Sequence, residues 1–258
     1  MNTLLSQPAT YVYGVAPAEP FREGHPPLRV PGIGGRSSVR TIVLGDLAAV
    51  VSDVPGVDIG LRRENLLDHQ RVLEEVLQRS DVLPFSFGTV AGSDDEVRDV
   101  LLHDGYDALL EQLGYVRGCV ELEVKVFWDQ QRLFLEIAEE NDEVRALRDA
   151  IAQMPDAASA EKLTLGQLTE AEIEIKSAWE ADAVLDVLEQ HAVDLLVSPN
   201  LNDTMLLNAA FLVEREREGE FDGAVYGLAE AQAGRLIFNY VGPLPPYSFI
   251  NLAFEGEG

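Results

Sequence analysis

Residues 119–128, CVELEVKVFW, place Val120, Leu122, Val124, Val126 and Trp128 at every second position, with Glu121, Glu123, Lys125 and Phe127 between them. Successive strand side chains point to opposite faces, so this alternation specifies a sheet with one apolar face covered and one charged face turned to water. Such a sheet needs a second layer, and the rest of the chain must supply it.

The preceding sequence offers both strands and helices. TYVYGVAP (10–17), rich in aromatic and β-branched residues and closed by Pro17, predicts a first strand. Residues 18–38, with Pro20, Pro26, Pro27, Pro31 and the GIGG at 32–35, predict a loop. VRTIVL (39–44) and LAAVVSDV (47–54) are strands joined through Gly45 and Asp46, a two-residue hairpin turn. From Leu61 to Arg79, Leu66, Leu67, Val72, Leu73, Val76 and Leu77 recur at helical spacing, with Arg62, Arg63, Glu64, Glu74 and Glu75 on the outer face. DVLPFSFGTV (81–90) reads as a buried strand whose Pro84 confines it to an edge or a bulge. Ser93 followed three residues later by Glu96 is the capping-box start of a second helix, which exits near Gly114 and Gly118.

Beyond the alternating strand, residues 131–153 and 159–192 are charged, alanine-rich and helical, interrupted by MPDAAS at Pro155. VDLLVSP (193–199) and MLLNAAFLV (205–213) predict strands, residues 214–234 a helix weakened by Gly219, Gly223 and Gly227, and RLIFNYVGP (235–243) a closing strand. Strand, helices, strand, strand, helix, strand is the order of a split βαβ, or ferredoxin-like, unit with an enlarged helical crossover. The expected fold is therefore α+β in two domains, 1–116 and 117–243, followed by a tail at 244–258.

Charge narrows the partners. Nineteen Lys and Arg against 45 Asp and Glu give a net charge of −26, which repels phosphate backbones and anionic lipid, so neither nucleic acid nor a membrane is an expected partner. Cys119 is the single cysteine, which excludes an intrachain disulfide and a four-cysteine zinc site and points to a cytoplasmic setting. No run approaches the length of a spanning helix.

Catalytic and metal-binding patterns are absent: no HExxH, no phosphate loop ending in Lys-Ser/Thr, no GxSxG. His103 and Asp107, four apart on a helix, are the best metal pair and read better as a solvated face. GIGG lacks the strand before and helix after that a dinucleotide site needs. Glu121 and Glu123 could pair as carboxylates, but beside Lys125 they read as an outward face. Arg62, Arg63, Arg71 and Arg79 balance the surrounding acids. No catalytic residue, cofactor site or metal site is expected.

Five stretches, in order, carry a resemblance: YVYGV (11–15), DVLPFSFGTV (81–90), GCVELEVKVFW (118–128), LNAAFLV (207–213) and GPLPPYSFINL (242–252). Together they resemble the gas vesicle accessory proteins of the GvpF/GvpL family. Ser86 departs from the basic residue the family usually places before Phe-Gly, and the loop at 18–38 is longer than expected.

The resemblance implies a non-catalytic, two-domain α+β protein with a modified ferredoxin-like C-terminal part. It would be shell-associated as well as cytoplasmic, a minor component or assembly factor that binds the main gas vesicle shell protein and other accessory proteins. Strand addition at an exposed sheet edge is one way to hold a shell subunit. The residues expected to pack or dock are Pro84, Phe85, Phe87 and Gly88 in the first motif and Pro245, Pro246, Tyr247 and Phe249 in the last. A ligand-binding or enzymatic cleft between the domains is the competing reading.

Overall fold

The computed structural model describes residues 9–22, 25–35, 37–153 and 159–251. The chain divides into two units, one made of residues 1–121 with 243–258 and the other of residues 122–242.

In the first unit, β1 (Ala9–Pro17), β2 (Arg40–Leu44) and β3 (Leu47–Val54) form the antiparallel body of a sheet. Gly45 turns the β2–β3 hairpin with φ +59, the left-handed backbone that a two-residue turn requires. Helix α1 (Arg63–Leu77) buries Val72, Leu73, Val76 and Leu77 of the expected apolar stripe and also His69, but leaves Leu66 and Leu67, in its first half, exposed. The loop before β2 is anchored to this helix: the Glu75 carboxylate accepts from the backbone N–H of Arg29 and Val30, and Arg79 donates to the Pro26 carbonyl at 2.8 Å. Arg79 also pairs with Glu75, and Arg71 with Asp68.

DVLPFSFGTV is not one strand. It forms two short pieces, β4 (Leu83–Pro84) and β5 (Val90–Ala91), both antiparallel to β1, with a turn between them. The sheet order is β2-β3-β1-β4, which puts β4 at an edge, where a residue without an N–H costs no ladder bond. Gly14 lies opposite Pro84, next to a register shift in β1. A Cβ on Gly14 would sit 2.3 Å from the Leu83 carbonyl oxygen. The glycine of YVYGV therefore lets the second motif approach the first. Gly14→Ala is expected to destabilise the protein by about 3 kcal/mol, since backbone must move to admit the methyl group; urea unfolding with an unchanged m-value would show it.

Ser93 caps as predicted, its hydroxyl accepting from the Glu96 N–H at 3.2 Å. The reciprocal bond falls one residue early: Glu96 accepts from Gly92, at 2.7 Å. The expected single helix is instead a turn of α2 (Asp94–Glu96), a π-helical stretch (Val97–Asp104) and α3 (Tyr106–Tyr115), broken at Gly105.

The second sheet contains β6 (Cys119–Trp128), β7 (Asp194–Val197), β8 (Met205–Glu214) and β9 (Leu236–Leu244), ordered β7-β8-β6-β9. β7 runs antiparallel to β8 from Asp194 opposite Leu212 to Val197 opposite Ala209. In β6 all five even-numbered apolar residues are buried. Glu123 and Lys125 lie part-exposed on the expected outer face and pair at 2.8 Å, but Glu121 is buried. Between β6 and β7 lie α4 (Gln130–Glu140), α5 (Asp142–Gln153) and α6 (Ser159–Leu188); α7 (Glu218–Ala231) follows β8. Residues 131–153, read as one helix, break at Asn141, whose side-chain oxygen accepts from the N–H groups of Glu143 and Val144 and starts α5. The interruption expected at Pro155 lies outside the described residues. No helix among the described residues is long and apolar enough to cross a membrane.

Candidate docking surfaces

Tyr11 and Tyr13, two apart on β1, point to the same face and meet His69 of α1. The Tyr11 hydroxyl bonds His69 Nδ1 at 2.9 Å and accepts from the Gly88 N–H at 3.0 Å. The Tyr13 hydroxyl bonds Ser52 Oγ and accepts from the Ile33 N–H, both at 2.9 Å, so GIGG is a loop tied to a buried phenol. Phe87 completes the cluster, its ring 5.9 Å from His69 and 6.2 Å from Tyr11. Backbone bonds close the seam: Phe85 N–H to the Tyr13 carbonyl and Val12 N–H to the Thr89 carbonyl, each 2.9 Å.

Burial pushes the Tyr11 phenol up to about 12 and the His69 imidazole down to about 4, the Phe85 backbone partly offsetting the latter. His69 is thus a neutral core group. Its folded value lies below the ordinary 6.5, so its contribution to stability is complete above pH 6.5 and is lost as pH falls from 6.5 toward 4. We expect acidification across this window to cost about 3 kcal/mol. His69→Phe, which keeps a ring but cannot titrate, should flatten that part of the pH–stability profile; an unchanged slope would assign the loss elsewhere.

The last motif returns to the same unit. Pro245, Pro246 and Phe249 are buried, while Tyr247 is 40% exposed. Both the N–H and the hydroxyl of Ser248 donate to the Glu121 carboxylate, each at 2.7 Å, and the Asn251 N–H donates to Gln112 at 3.1 Å. This corrects the outward reading of Glu121: the carboxylate is the tail's anchor. Of the eight residues singled out in the two motifs, Pro84, Phe85, Pro245, Pro246 and Phe249 are buried, Phe87 is half-buried, and Gly88 and Tyr247 reach solvent.

In the second unit, Glu136 is buried on α4 and gathers cations that the sequence did not single out. Arg235 grips it with two bonds of 2.8 and 3.0 Å, Arg132 adds one of 3.1 Å, and Lys176 lies 3.3 Å away. Arg235 also donates to Glu180 at 2.5 Å and lies over the Trp128 ring. The Arg235 guanidinium is the main reason the Glu136 carboxyl falls to about 2. This cluster ties α4, α6 and the start of β9 together.

Beside it runs an open groove of about 1260 Å³, bounded by α4, α5, α6 and residues 200–206. Leu133, Ile137, Val144, Leu165, Ile173 and Met205 are among its apolar walls. No residue of α6 before Val184 is buried, among those described, and Leu163, Ile175 and Trp179 stand exposed as well. At the sheet edge, Val193, Leu196 and Val197 are exposed on or next to β7.

His103 bonds its neighbour Asp104 at 3.0 Å and is exposed. Among the described residues no three His, Cys, Asp or Glu side chains are grouped to hold a metal.

The family described as gas vesicle synthesis protein GvpL/GvpF matches residues 9–251. Gas vesicle protein F of a Streptomyces species is 36% identical over 94% of this chain and 99% of its own length. Gas vesicle protein F1 of Halobacterium salinarum is 27% identical over 96% of this chain and 95% of its own. The crystal structure of GvpF from Microcystis aeruginosa superposes with a TM-score of 0.75 at 26% identity, covering 95% of this chain and 99% of that one. That of GvpF from Anabaena gives 0.81 at 24% identity with the same coverage, a likeness of fold. The chain belongs to the GvpL/GvpF family of gas vesicle synthesis proteins, and its role lies in gas vesicle formation.

Proposed function

We propose that the protein is a non-catalytic assembly factor that holds the main gas vesicle shell protein, in company with other accessory proteins, while the shell is built. A subunit that lines a gas-filled shell must present apolar surface, and such surface aggregates in water unless it is covered. The observation that carries the reading is the open apolar groove on the helical layer of a strongly acidic chain. Acidity keeps the holder soluble and apart from its own copies, while the groove offers apolar contact. The order β7-β8-β6-β9, with helices after β6 and after β8, supports reading residues 117–243 as a ferredoxin-like domain whose crossover, α4 to α6, has grown into this surface.

Co-expression provides the test. Tagged protein should raise the soluble fraction of shell protein and retain it on affinity capture. Unchanged solubility together with no captured shell protein would refute the proposal.

A further inference from the structure

Resting on that reading, we propose that the groove between α4, α5 and α6 receives an amphipathic helix with basic flanks. Three features of the site choose this occupant over an extended strand or an acidic segment.

The first is shape. The walls are helices, and the lining of α6 recurs as Gly166, Thr169, Ile173 and Ser177, steps of three and four that keep one face of a helix. A surface ridged in this way packs another helix by interlocking side-chain rows at about 8–10 Å between axes. Gly166 and Ala178 lie on the same lining, so the incoming backbone meets small side chains there. The groove offers helix surface, with the hydrogen bonds of α6 spent within it, so a strand would find no ladder to join.

The second is charge. From Gln130 to Leu188 the chain has five basic and fourteen acidic residues, a net charge of −9. The bases are mostly engaged: Arg132 and Lys176 with Glu136, Arg145 with Asp142, Arg148 with Asp149. The groove lining has two bases, Arg148 paired with Asp149 and Lys162, itself engaged, against Glu170 and Glu174 of α6 and Asp203 of the facing loop, which have no cation within ion-pair distance among the described residues. Lysine or arginine beside an apolar stripe would meet these carboxylates, whereas an acidic helix would be repelled by them.

The third is the state of the apolar residues. Phe134 is 49% exposed and Leu201 73% exposed, both on the lining. These are the side chains that a docked helix would cover.

A labelled synthetic helix of about 18 residues, five turns, is the probe. It has leucines at i, i+3, i+4 and i+7 and lysines on both flanks, and a second version has glutamates in place of the lysines. Fluorescence anisotropy with the full chain should show saturable binding of the lysine peptide and at least about tenfold weaker binding of the glutamate peptide. Ile173→Asp should weaken the lysine peptide about tenfold or more. Because an aspartate in place of a half-buried isoleucine can perturb folding, the exposed pair Glu170→Lys and Glu174→Lys is tested beside it, with circular dichroism and unfolding midpoint unchanged; it should reverse the preference between the two peptides. No binding to the wild-type chain, or binding indifferent to both variants, overturns the inference. Capture of shell protein separates the two levels: if wild-type and Ile173→Asp chains retain it equally, the groove assignment fails and the assembly role stands. If the wild-type chain retains none, the assembly role itself fails.

Discussion

Replacing Arg235 by alanine is expected to cost about 3 kcal/mol of stability, the low end of the range for removing one partner of a buried ion pair, because the Arg235 side chain keeps 26% of its surface exposed. The cost does not come from the lost attraction alone. Glu136 is 5% exposed, and its two oxygens take both fork hydrogen bonds of Arg235. Without the guanidinium, a carboxylate held at about 2 must either protonate or remain charged in the helical layer, with only Arg132 and Lys176 to answer it. Arg235→Lys should recover little, because an ammonium cannot bridge Glu136 and Glu180 from one plane while lying over Trp128. The double variant Glu136→Met with Arg235→Met should regain much of the loss, since apolar pairs often substitute for buried ion pairs without penalty. Glu136 has a folded value below its ordinary 4.5, so its stabilisation is complete above pH 4.5 and disappears as pH falls from 4.5 toward 2. That window lies below the one assigned to His69. Denaturant midpoints across pH 2 to 7 should therefore fall in two steps, the lower one absent in the double variant.

The tail gives the second large effect. Phe249→Ala is expected to cost about 3–5 kcal/mol, the usual range for emptying a buried phenylalanine site. Phe249 is 5% exposed, and the residue before it delivers two donors to a carboxylate buried in β6. Ending the chain after Leu244 should cost at least as much, because it strips both charge-assisted hydrogen bonds from Glu121 along with the apolar contacts of Pro245, Pro246 and Phe249. Unfolding midpoints measure the cost. If both variants keep wild-type stability but lose shell protein on capture, the tail is a docking segment rather than a structural one.

Local patterns in the chain declared themselves where both partners of a contact lie close together in sequence. The alternation at 119–128, the Gly45-Asp46 turn, the Ser93 cap and the apolar stripe of α1 all set structure by short-range rules, and each element forms where its residues place it. Local pattern misleads where the decisive partner is remote. Glu121 looks solvent-facing beside Glu123 and Lys125, and a serine 127 positions away holds it inside. Arg235 sits at the mouth of a strand with nothing local to mark it, and its partners on α4 and α6 are 99 and 55 residues back. His69 has no local mark, because one polar residue on an apolar helix face gives no sign that Tyr11, 58 positions earlier, meets it. Asn141 was legible in principle: Asn-Asp-Glu is a helix start, concealed here by the helical runs on either side.

The groove marks a different limit. Leu165, Ile173, Leu133 and Ile137 have the spacing of ordinary core residues, and periodicity separates apolar from polar faces without saying whether a face is filled by the chain itself. On α6, Leu165 and Ile173 stay part-exposed on the groove, whereas Leu133 and Ile137 of α4 are buried. Under the function proposed above, this open apolar face is the surface that takes the shell subunit.

Dilution of denatured shell protein into buffer, with and without an equimolar amount of this chain and followed by light scattering, tests that function most directly. Holding predicts that scattering is largely suppressed and that the two chains elute together on gel filtration. Scattering that rises unchanged, with the proteins eluting separately, would contradict it.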